Sequence, residues 1–423
     1  MSKILLLPHG TAGDVLPYIW LGRQLIQRGH SVTMIWVESF LPAAERAGIH
    51  YVPMPGAGFE KLLLNPDLWL PHKGLQEGFA FAGECMGDYL KAFKASVEHD
   101  GMPALLVAPH INFAARLLRE KHGVPLISVV LYPPAFISAH EICSGMLCAG
   151  LMRKLPVFVR KIILSLVMPY DRFAMPHVRR NCQEHGVPPP RNLQRHWWLS
   201  PDGVLALFPG WYGKAQPDWP ANTLQWDFPL EDLAEERSMS PELVAFLAAG
   251  EKPLVFTPGT GNLHARAFFE TALELCSRLG CRAVFVTREL GQVPDCLPET
   301  VLAVKYAPFS TLLKHASVFV HHGGIGSVSQ GFKAGVPQFI VFMGFDQPDN
   351  AERLEGMGAG VGLDVRKFDV RRALPLLRKC LEDPAMRQNA DACTKRLREN
   401  RPPVGALMEW LEHRTRPASS SCS

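Results

Sequence analysis

Several short stretches of this chain combine residue types that can handle an anionic ligand. Val320-His321-His322-Gly323-Gly324-Ile325-Gly326-Ser327 follows an apolar run and opens a helical one. Its three glycines allow a backbone to approach a ligand closely. A helix start adds unpaired N–H groups and the positive end of a dipole, a combination suited to a phosphate or pyrophosphate. Ser327 can donate to an oxygen there, and His322 can bond or neutralise one. Further on, Gly344-Phe345-Asp346-Gln347-Pro348-Asp349-Asn350 places an acid beside an amide at a strand's carboxyl end. Such a pair can accept from and donate to vicinal sugar hydroxyls, although capping of the following helix by Asp346 or Asp349 explains it equally well. Thr257-Pro258-Gly259-Thr260-Gly261-Asn262 is another glycine loop. Its amides and Thr260 can reach a diphosphate, or it can be an ordinary strand–helix turn. Gly324 and Gly326, with Asp346 about twenty residues on, match part of a dinucleotide fingerprint. Ser329 stands where the third glycine belongs. An NAD(P)-dependent oxidoreductase is therefore a distant alternative.

Parallel strands and their helices must position these loops. Lys3–Leu7 and Ser31–Val37 read as apolar strands, with a helix from about Pro17 to Arg28 between them that Gly29 ends. Asp14, in the loop before it, reads as an N-cap of that helix, and His9 as a structural hydrogen-bonder. Ala104–Ala108 and Leu126–Leu131 continue the pattern. A second series comprises Leu254–Thr257, Ala283–Val286, Val301–Val304, Val318–Val320 and Gln338–Val341. Strands alternating with helices predict an α/β fold with parallel sheets covered on both faces. The expected organisation is a first doubly wound domain over residues 1–215, a proline-rich linker over 216–240, a second such domain over 241–400 and a terminal helix and tail over 401–423. A ligand would sit in the cleft between the carboxyl edges of both sheets.

Composition narrows the class. Over 423 residues, 47% are hydrophobic and 20% charged, enough to bury cores and to exclude wholesale disorder. Lys+Arg 44 against Asp+Glu 40 leaves +4, too little excess to imply nucleic acid as a partner. The ten cysteines include no CxxC pair, so no metal site is expected and a reducing compartment is. Only Ile4 to Leu7 lies between Lys3 and Pro8, too short for a signal-peptide core. The uncharged stretches Gly123–His140 and His315–Phe332 are broken by proline or glycine. The expectation is a cytoplasmic enzyme.

The run from Tyr306-Ala307-Pro308 through the glycine loop to Asp346-Gln347 resembles the donor-binding signature of the UDP-glycosyltransferase superfamily. Gly10-Thr11-Ala12-Gly13-Asp14-Val15-Leu16-Pro17 resembles the glycine–aspartate–x–x–proline loop of its bacterial members. The resemblance implies the GT-B fold, two facing Rossmann-like domains. It implies that Asp14 is the catalytic base. It places His322, Gly324, Gly326 and Ser327 at the donor phosphates, Tyr306 and Ala307 at the base, and Asp346 and Gln347 at the sugar hydroxyls. Gln330 stands where plant members use a glutamate for both ribose hydroxyls, which is compatible with a deoxyribose. No Asp-x-Asp occurs in the sequence, which argues against a metal-dependent transferase.

Trp198-Leu199-Ser200-Pro201-Asp202-Gly203-Val204, Leu207-Phe208-Pro209, Asp218-Trp219-Pro220 and Asp349-Asn350-Ala351-Glu352-Arg353-Leu354 are similar to the rhamnosyltransferases of rhamnolipid synthesis. That resemblance implies inverting transfer of L-rhamnose from dTDP-L-rhamnose to a hydroxyacyl lipid. A UDP-hexose donor with a sterol, polyketide or other lipid acceptor is the alternative. It also implies, as partners, a synthase supplying the acyl precursor and peripheral contact with the inner membrane. Residues 151–200 carry nine Lys/Arg against two acids, and Leu155–Tyr170 is mostly apolar. A buried helix would explain the apolar run. An anionic amphiphile would also suit it, with Arg160 and Lys161 attracting a carboxylate or a membrane surface.

Overall fold

A computed structural model describes residues 1–70, 73–146, 148–166, 171–232 and 238–415. Val167, Met168 and Tyr170 of the apolar run, most of the charged patch Glu231–Arg237 and the tail Ser419–Ser423 lie outside the described residues.

Two all-parallel sheets form the two units. The first contains β1 (Lys3–Leu6), β2 (Ser31–Val37), β3 (His50–Met54), β4 (Leu105–Pro109), β5 (Leu126–Val130), β6 (Val204–Ala206) and β7 (Thr223–Gln225), in the spatial order β3-β2-β1-β4-β5-β6-β7. The second contains β8 (Leu254–Thr257), β9 (Ala283–Val286), β10 (Val301–Val304), β11 (Val318–His321), β12 (Gln338–Phe342) and β13 (Gly360–Asp364), ordered β10-β9-β8-β11-β12-β13. Apart from the exposed Lys3 that opens β1, the central strands are buried along their length, because helices cover both sheet faces. In each sheet the strand order reverses between a unit's first strand and its fourth. The crevice beyond their carboxyl ends is where such sheets bind ligands. Here those ends carry the loops after β1, β8 and β11.

Two readings need correction. The first helix runs Ala12–Gln27, with Pro17 inside it rather than in its first turn. Thr11 is its N-cap, and Asp14 sits three residues in. The segment expected as linker contributes β7, paired in parallel with β6 from Val204↔Thr223 to Ala206↔Gln225. The expected terminal helix is present at Val404–Glu412, and it packs on the first unit. Leu407, Met408 and Leu411 are buried, Arg28 donates twice to Glu412 (3.0 and 2.9 Å), and Arg414 donates to the Asp202 carbonyl (3.1 Å). The nine described cysteines are free thiols. Among the described residues, no helix is long and apolar enough to cross a membrane.

Candidate active site

The loop after β1 turns through Gly10, whose φ is +123°, and delivers Thr11 to the helix start. A Cβ on Gly10 would lie 2.4 Å from Asp14 Oδ2, so this turn has room only for glycine. Asp14 Oδ2 accepts from Thr11 N at 2.9 Å and from Thr11 Oγ1 at 3.3 Å. Burial pushes its carboxyl up to about 6, although both Thr11 bonds favour the charged form.

Opposite it, the loop after β11 begins with two histidines of different fates. His321 is fully buried. Its Nε2 faces Gln338 Oε1 at 2.9 Å, its Nδ1 accepts from Gly323 N at 3.1 Å, and its ring stacks on Phe319. It braces the loop. His322 instead lies between two glycines: a Cβ on Gly259 would be 2.8 Å from its Cε1, and one on Gly324 would be 2.5 Å from its Nε2. Burial lowers its pKa to about 4, so the ring is neutral and can act as a hydrogen-bond donor. Its Nδ1 is buried without a partner. The helix Ile325–Ala334 follows, with Gly324 as N-cap, no side-chain cap and no acid in its first turn. A Cβ on Gly326 would lie 3.6 Å from Gly13 Cα, which brings the two helix starts together. The third loop closes in as well. A Cβ on Gly261 would be 2.8 Å from Thr11 Cγ2, while Thr260 is exposed beside it.

Asp346 occupies the N-cap position of helix Gln347–Gly356 yet makes no capping bond. Its Oδ2 accepts from Asn350 Nδ2 at 2.7 Å instead. The carboxyl is pushed up to about 7, first by burial and next by the negative charge of Asp14. Two acids from different units therefore share one electrostatic environment. Gln347 is buried, its Oε1 accepting from Met343 N (2.8 Å) and Gly344 N (3.4 Å), which leaves its NH₂ for a ligand. Gln330 is also buried; its Nε2 donates to the Leu230 carbonyl at 3.3 Å, and its Oε1 has no partner. Tyr306 donates its hydroxyl to the Asp232 carbonyl at 2.7 Å, while Ala307 is buried next to it. Ser327 is half-buried in the first turn of its helix.

Comparison with known proteins agrees with this division. Residues 4–134 match the glycosyltransferase family 28 N-terminal domain, and residues 283–403 match the erythromycin biosynthesis protein CIII-like C-terminal domain. The chain is a nucleotide-sugar glycosyltransferase of the GT-B type. It is 27% identical over 433 residues to the O-mycaminosyltylonolide 6-deoxyallosyltransferase of Streptomyces fradiae, covering 98% of both chains. It is 26% identical over 438 residues to a sterol 3-beta-glucosyltransferase of Debaryomyces hansenii, spanning 95% of this chain but only 26% of that protein. The spinosyn rhamnosyltransferase SpnG, complexed with thymidine diphosphate, superposes with a TM-score of 0.69 at 16% identity, over 97% of this chain and 100% of that one. These matches set the oxidoreductase alternative aside.

In this glycosyltransferase the region expected to meet the acceptor is arranged differently from its sequence reading. Arg160 turns onto backbone, donating to the carbonyls of Leu155 (2.8 Å), Arg153 (2.7 Å) and Ala139 (3.2 Å). Its guanidinium is engaged in holding that turn. Lys161 is exposed. Helix Val157–Leu166 is not a buried element: Phe158, Ile162 and Leu166, one turn apart, are 67%, 55% and 74% exposed. Sequence reasoning also missed an ion-paired seam between the units. Arg353 bonds Asp349 (2.6 Å) and Glu141 (2.9 Å), and Arg153 bonds Glu352 (2.6 Å). The Arg353–Asp349 pair lies within one helix, but Arg353–Glu141 and Arg153–Glu352 join residues some 200 positions apart, and no local pattern announces them.

Proposed function

We propose that this glycosyltransferase moves L-rhamnose from dTDP-L-rhamnose to the hydroxyl of a hydroxyacyl lipid, inverting the anomeric centre without a metal ion. The observation that carries the reading is the opposition of Asp14 to the His322 loop and Asp346 in one cleft, close enough that the charge of Asp14 raises Asp346. Asp14 takes the proton of the acceptor hydroxyl as that oxygen attacks the anomeric carbon. The bond to the diphosphate breaks on the opposite face. His322, Ser327, Thr260 and the N–H groups of the uncapped helix meet the charge that accumulates on the leaving diphosphate. Asp346 and the NH₂ of Gln347 hold sugar hydroxyls. Tyr306 and Ala307 flank the base, and the unpartnered Oε1 of Gln330 accepts from the ribose 3′-hydroxyl.

A thymidine diphosphate complex of a structurally similar rhamnosyltransferase supports the donor. The exposed stripe Phe158, Ile162 and Leu166, flanked by Lys154 and Lys161, supports an amphiphilic acceptor and contact with an anionic membrane. A second reading, glucose from UDP-glucose to a sterol, rests on the sterol 3-beta-glucosyltransferase relative. Mass spectrometry of products separates the two when the enzyme is offered both donors with hydroxyacyl lipids and a sterol. Only rhamnosylated hydroxyacyl lipid agrees with the first reading. Undiminished turnover in a chelator tests the metal-free part.

A further inference from the structure

Asn350 is fully buried in the second turn of helix Gln347–Gly356, and every polar atom of its side chain is committed. One amide hydrogen goes to Asp346 Oδ2 at 2.7 Å, and the other to the Gly323 carbonyl in the phosphate-side loop at 2.8 Å. Oδ1 accepts from the hydroxyl of Tyr212 at 2.5 Å. Reversing the amide would turn its oxygen toward the Gly323 carbonyl, which can only accept. Tyr212 belongs to the first unit, in the connection from β6 to β7. It is buried, its carbonyl accepts from Arg353 Nη1 at 2.9 Å, and the Arg353 guanidinium lies 5.7 Å from its ring centroid. A single carboxamide thus joins three places: the acid beside the proposed sugar, the turn before the phosphate-side helix, and the opposite unit.

We propose that Asn350, oriented by Tyr212, is a positioning residue that fixes Asp346 and the Gly323 turn in one geometry and makes donor-sugar recognition depend on contact between the units. The proposal rests on the reading of Asp346 as a sugar ligand. The backbone supports it. Phe345, immediately before Asp346, has φ +57°, an unfavourable conformation for a residue with a side chain, and Asn350 N donates to the Asp346 carbonyl at 3.0 Å behind it. Gly323 has φ +91°, and a Cβ there would meet Ile340 Cγ2 at 2.5 Å. Both turns flanking the amide are therefore narrowly constrained, and the amide holds their register. The groups facing Asp346 are Asp14 and Tyr132 from the first unit, Tyr212 and Cys143 beside the seam, and Asp349 on its own helix. Apart from Asn350, no donor side chain is bonded to its carboxylate among the described residues.

Calorimetry with two probes, dTDP and dTDP-L-rhamnose, isolates the contribution of the sugar as the ratio of their affinities. Tyr212→Phe deletes one hydroxyl; it is expected to lower that ratio about 3- to 10-fold, the range of one hydrogen bond, while dTDP affinity changes less than about twofold. Asn350→Asp places a second carboxylate against Asp346. The ratio should collapse, and its pH dependence should move up by about one unit or more, a response that loss of packing alone would not give. Should Asn350→Asp not fold, Tyr212→Phe decides. The same ratio and pH profile as the parent in folded Tyr212→Phe overturns the proposal. Asp346→Asn separates the two levels. If it abolishes the sugar contribution while Tyr212→Phe and Asn350→Asp leave it intact, the positioning role falls and the sugar reading stands. An unchanged ratio in Asp346→Asn removes both.

Discussion

The two loops that face each other across the cleft have the same construction and opposite electrostatics. Each leaves the carboxyl end of a central strand, turns on glycine and enters a helix. In the first unit, the positive end of helix Ala12–Gln27 is already occupied: Asp14, on its first turn, accepts from Thr11 N at 2.9 Å. That acid leaves no place for a phosphate. In the second, helix Ile325–Ala334 has no side-chain cap and no first-turn acid, and the adjacent His322 is a neutral donor. Its N–H groups remain available to an anion. One position of sequence, an acid or a serine just inside the helix, separates a base from a diphosphate cradle.

Removing the acid breaks this contrast most severely. Asp14→Asn keeps an acceptor for Thr11 N but cannot take a proton. Turnover should fall about 100-fold or more, while dTDP affinity stays within about twofold. Single-turnover kinetics alongside calorimetry reads both quantities, and near-normal turnover would remove Asp14 from the mechanism.

On the other side, His322→Ala should weaken dTDP binding about tenfold, since a phosphate contact acts before and during the reaction. Gly324→Ala is the sharper probe. Its backbone has φ −61°, which alanine adopts freely, but the new Cβ would lie 2.5 Å from His322 Nε2. The ring must move although no contacting group has been deleted. Calorimetry should show a loss comparable to that of His322→Ala, and combining the two substitutions should add little. Full additivity would mean that Gly324 acts independently of the histidine.

The shared environment of the two acids makes a pH-dependent prediction. Asp346 titrates at about 7 in the folded protein, against about 3.9 for an unfolded aspartate. The folded state therefore holds a proton that the unfolded state releases. The associated stabilisation is complete below pH ~4 and is lost as pH rises through about 7. Asp346→Asn cannot ionise, and its Oδ1 can still accept from Asn350. Relative to the parent, this variant should gain a few degrees of thermal midpoint at pH 8 compared with pH 4. Asp14→Asn should shift Asp346 downward by removing the charge that raises it. A constant difference between Asp346→Asn and parent across this range would refute the raised pKa of Asp346.

How much of this was legible in the sequence follows from which interactions are local. The apolar central strands and the glycine stops at Gly29, Gly48, Gly280 and Gly335, all with positive φ, are local properties. Strands β3, β6, β7 and β13 carry weak local signals, for identifiable reasons. β3 includes Pro53 and lies at a sheet edge, β6 and β7 are three residues each, and β13 contains two glycines. Gly360 is there because a Cβ would lie 2.1 Å from the Gln338 carbonyl of the neighbouring strand, a constraint visible only once the strands are paired. The glycine loops and the residues Asp14, His322 and Asp346 stood out as candidates, because charge and glycine next to a strand end are readable. Asn350 did not: the four-residue spacing from Asp346 was available, but Gly323 and Tyr212 come from distant segments. Arg160 looked like an exposed cation because a guanidinium turned onto three carbonyls has no sequence signature.

The smallest expected effect tests the first-unit loop itself. Reading Pro17 as the helix start hid the Thr-x-x-Asp pattern, in which Thr11 caps and Asp14 reaches back from the third position. Thr11→Ala retains the backbone N–H that Asp14 accepts from and removes the γ-methyl together with the hydroxyl, which donates to Asp14 Oδ2 at 3.3 Å. Loss of this residue as N-cap should cost about 1 kcal/mol of stability. That hydroxyl also favours the charged carboxylate, so without it the Asp14 pKa rises above its value of about 6. The acid limb of the kcat/KM profile should move upward by a few tenths of a unit, with the alkaline plateau nearly unchanged because Asp14 is fully ionised there. Thr11→Ser restores the hydroxyl without the methyl group and should return the limb to its original position. If Thr11→Ala lowers the thermal midpoint but leaves the acid limb in place, Thr11 is a cap and nothing more, and the ionisation of Asp14 is governed by burial and the Thr11 amide alone.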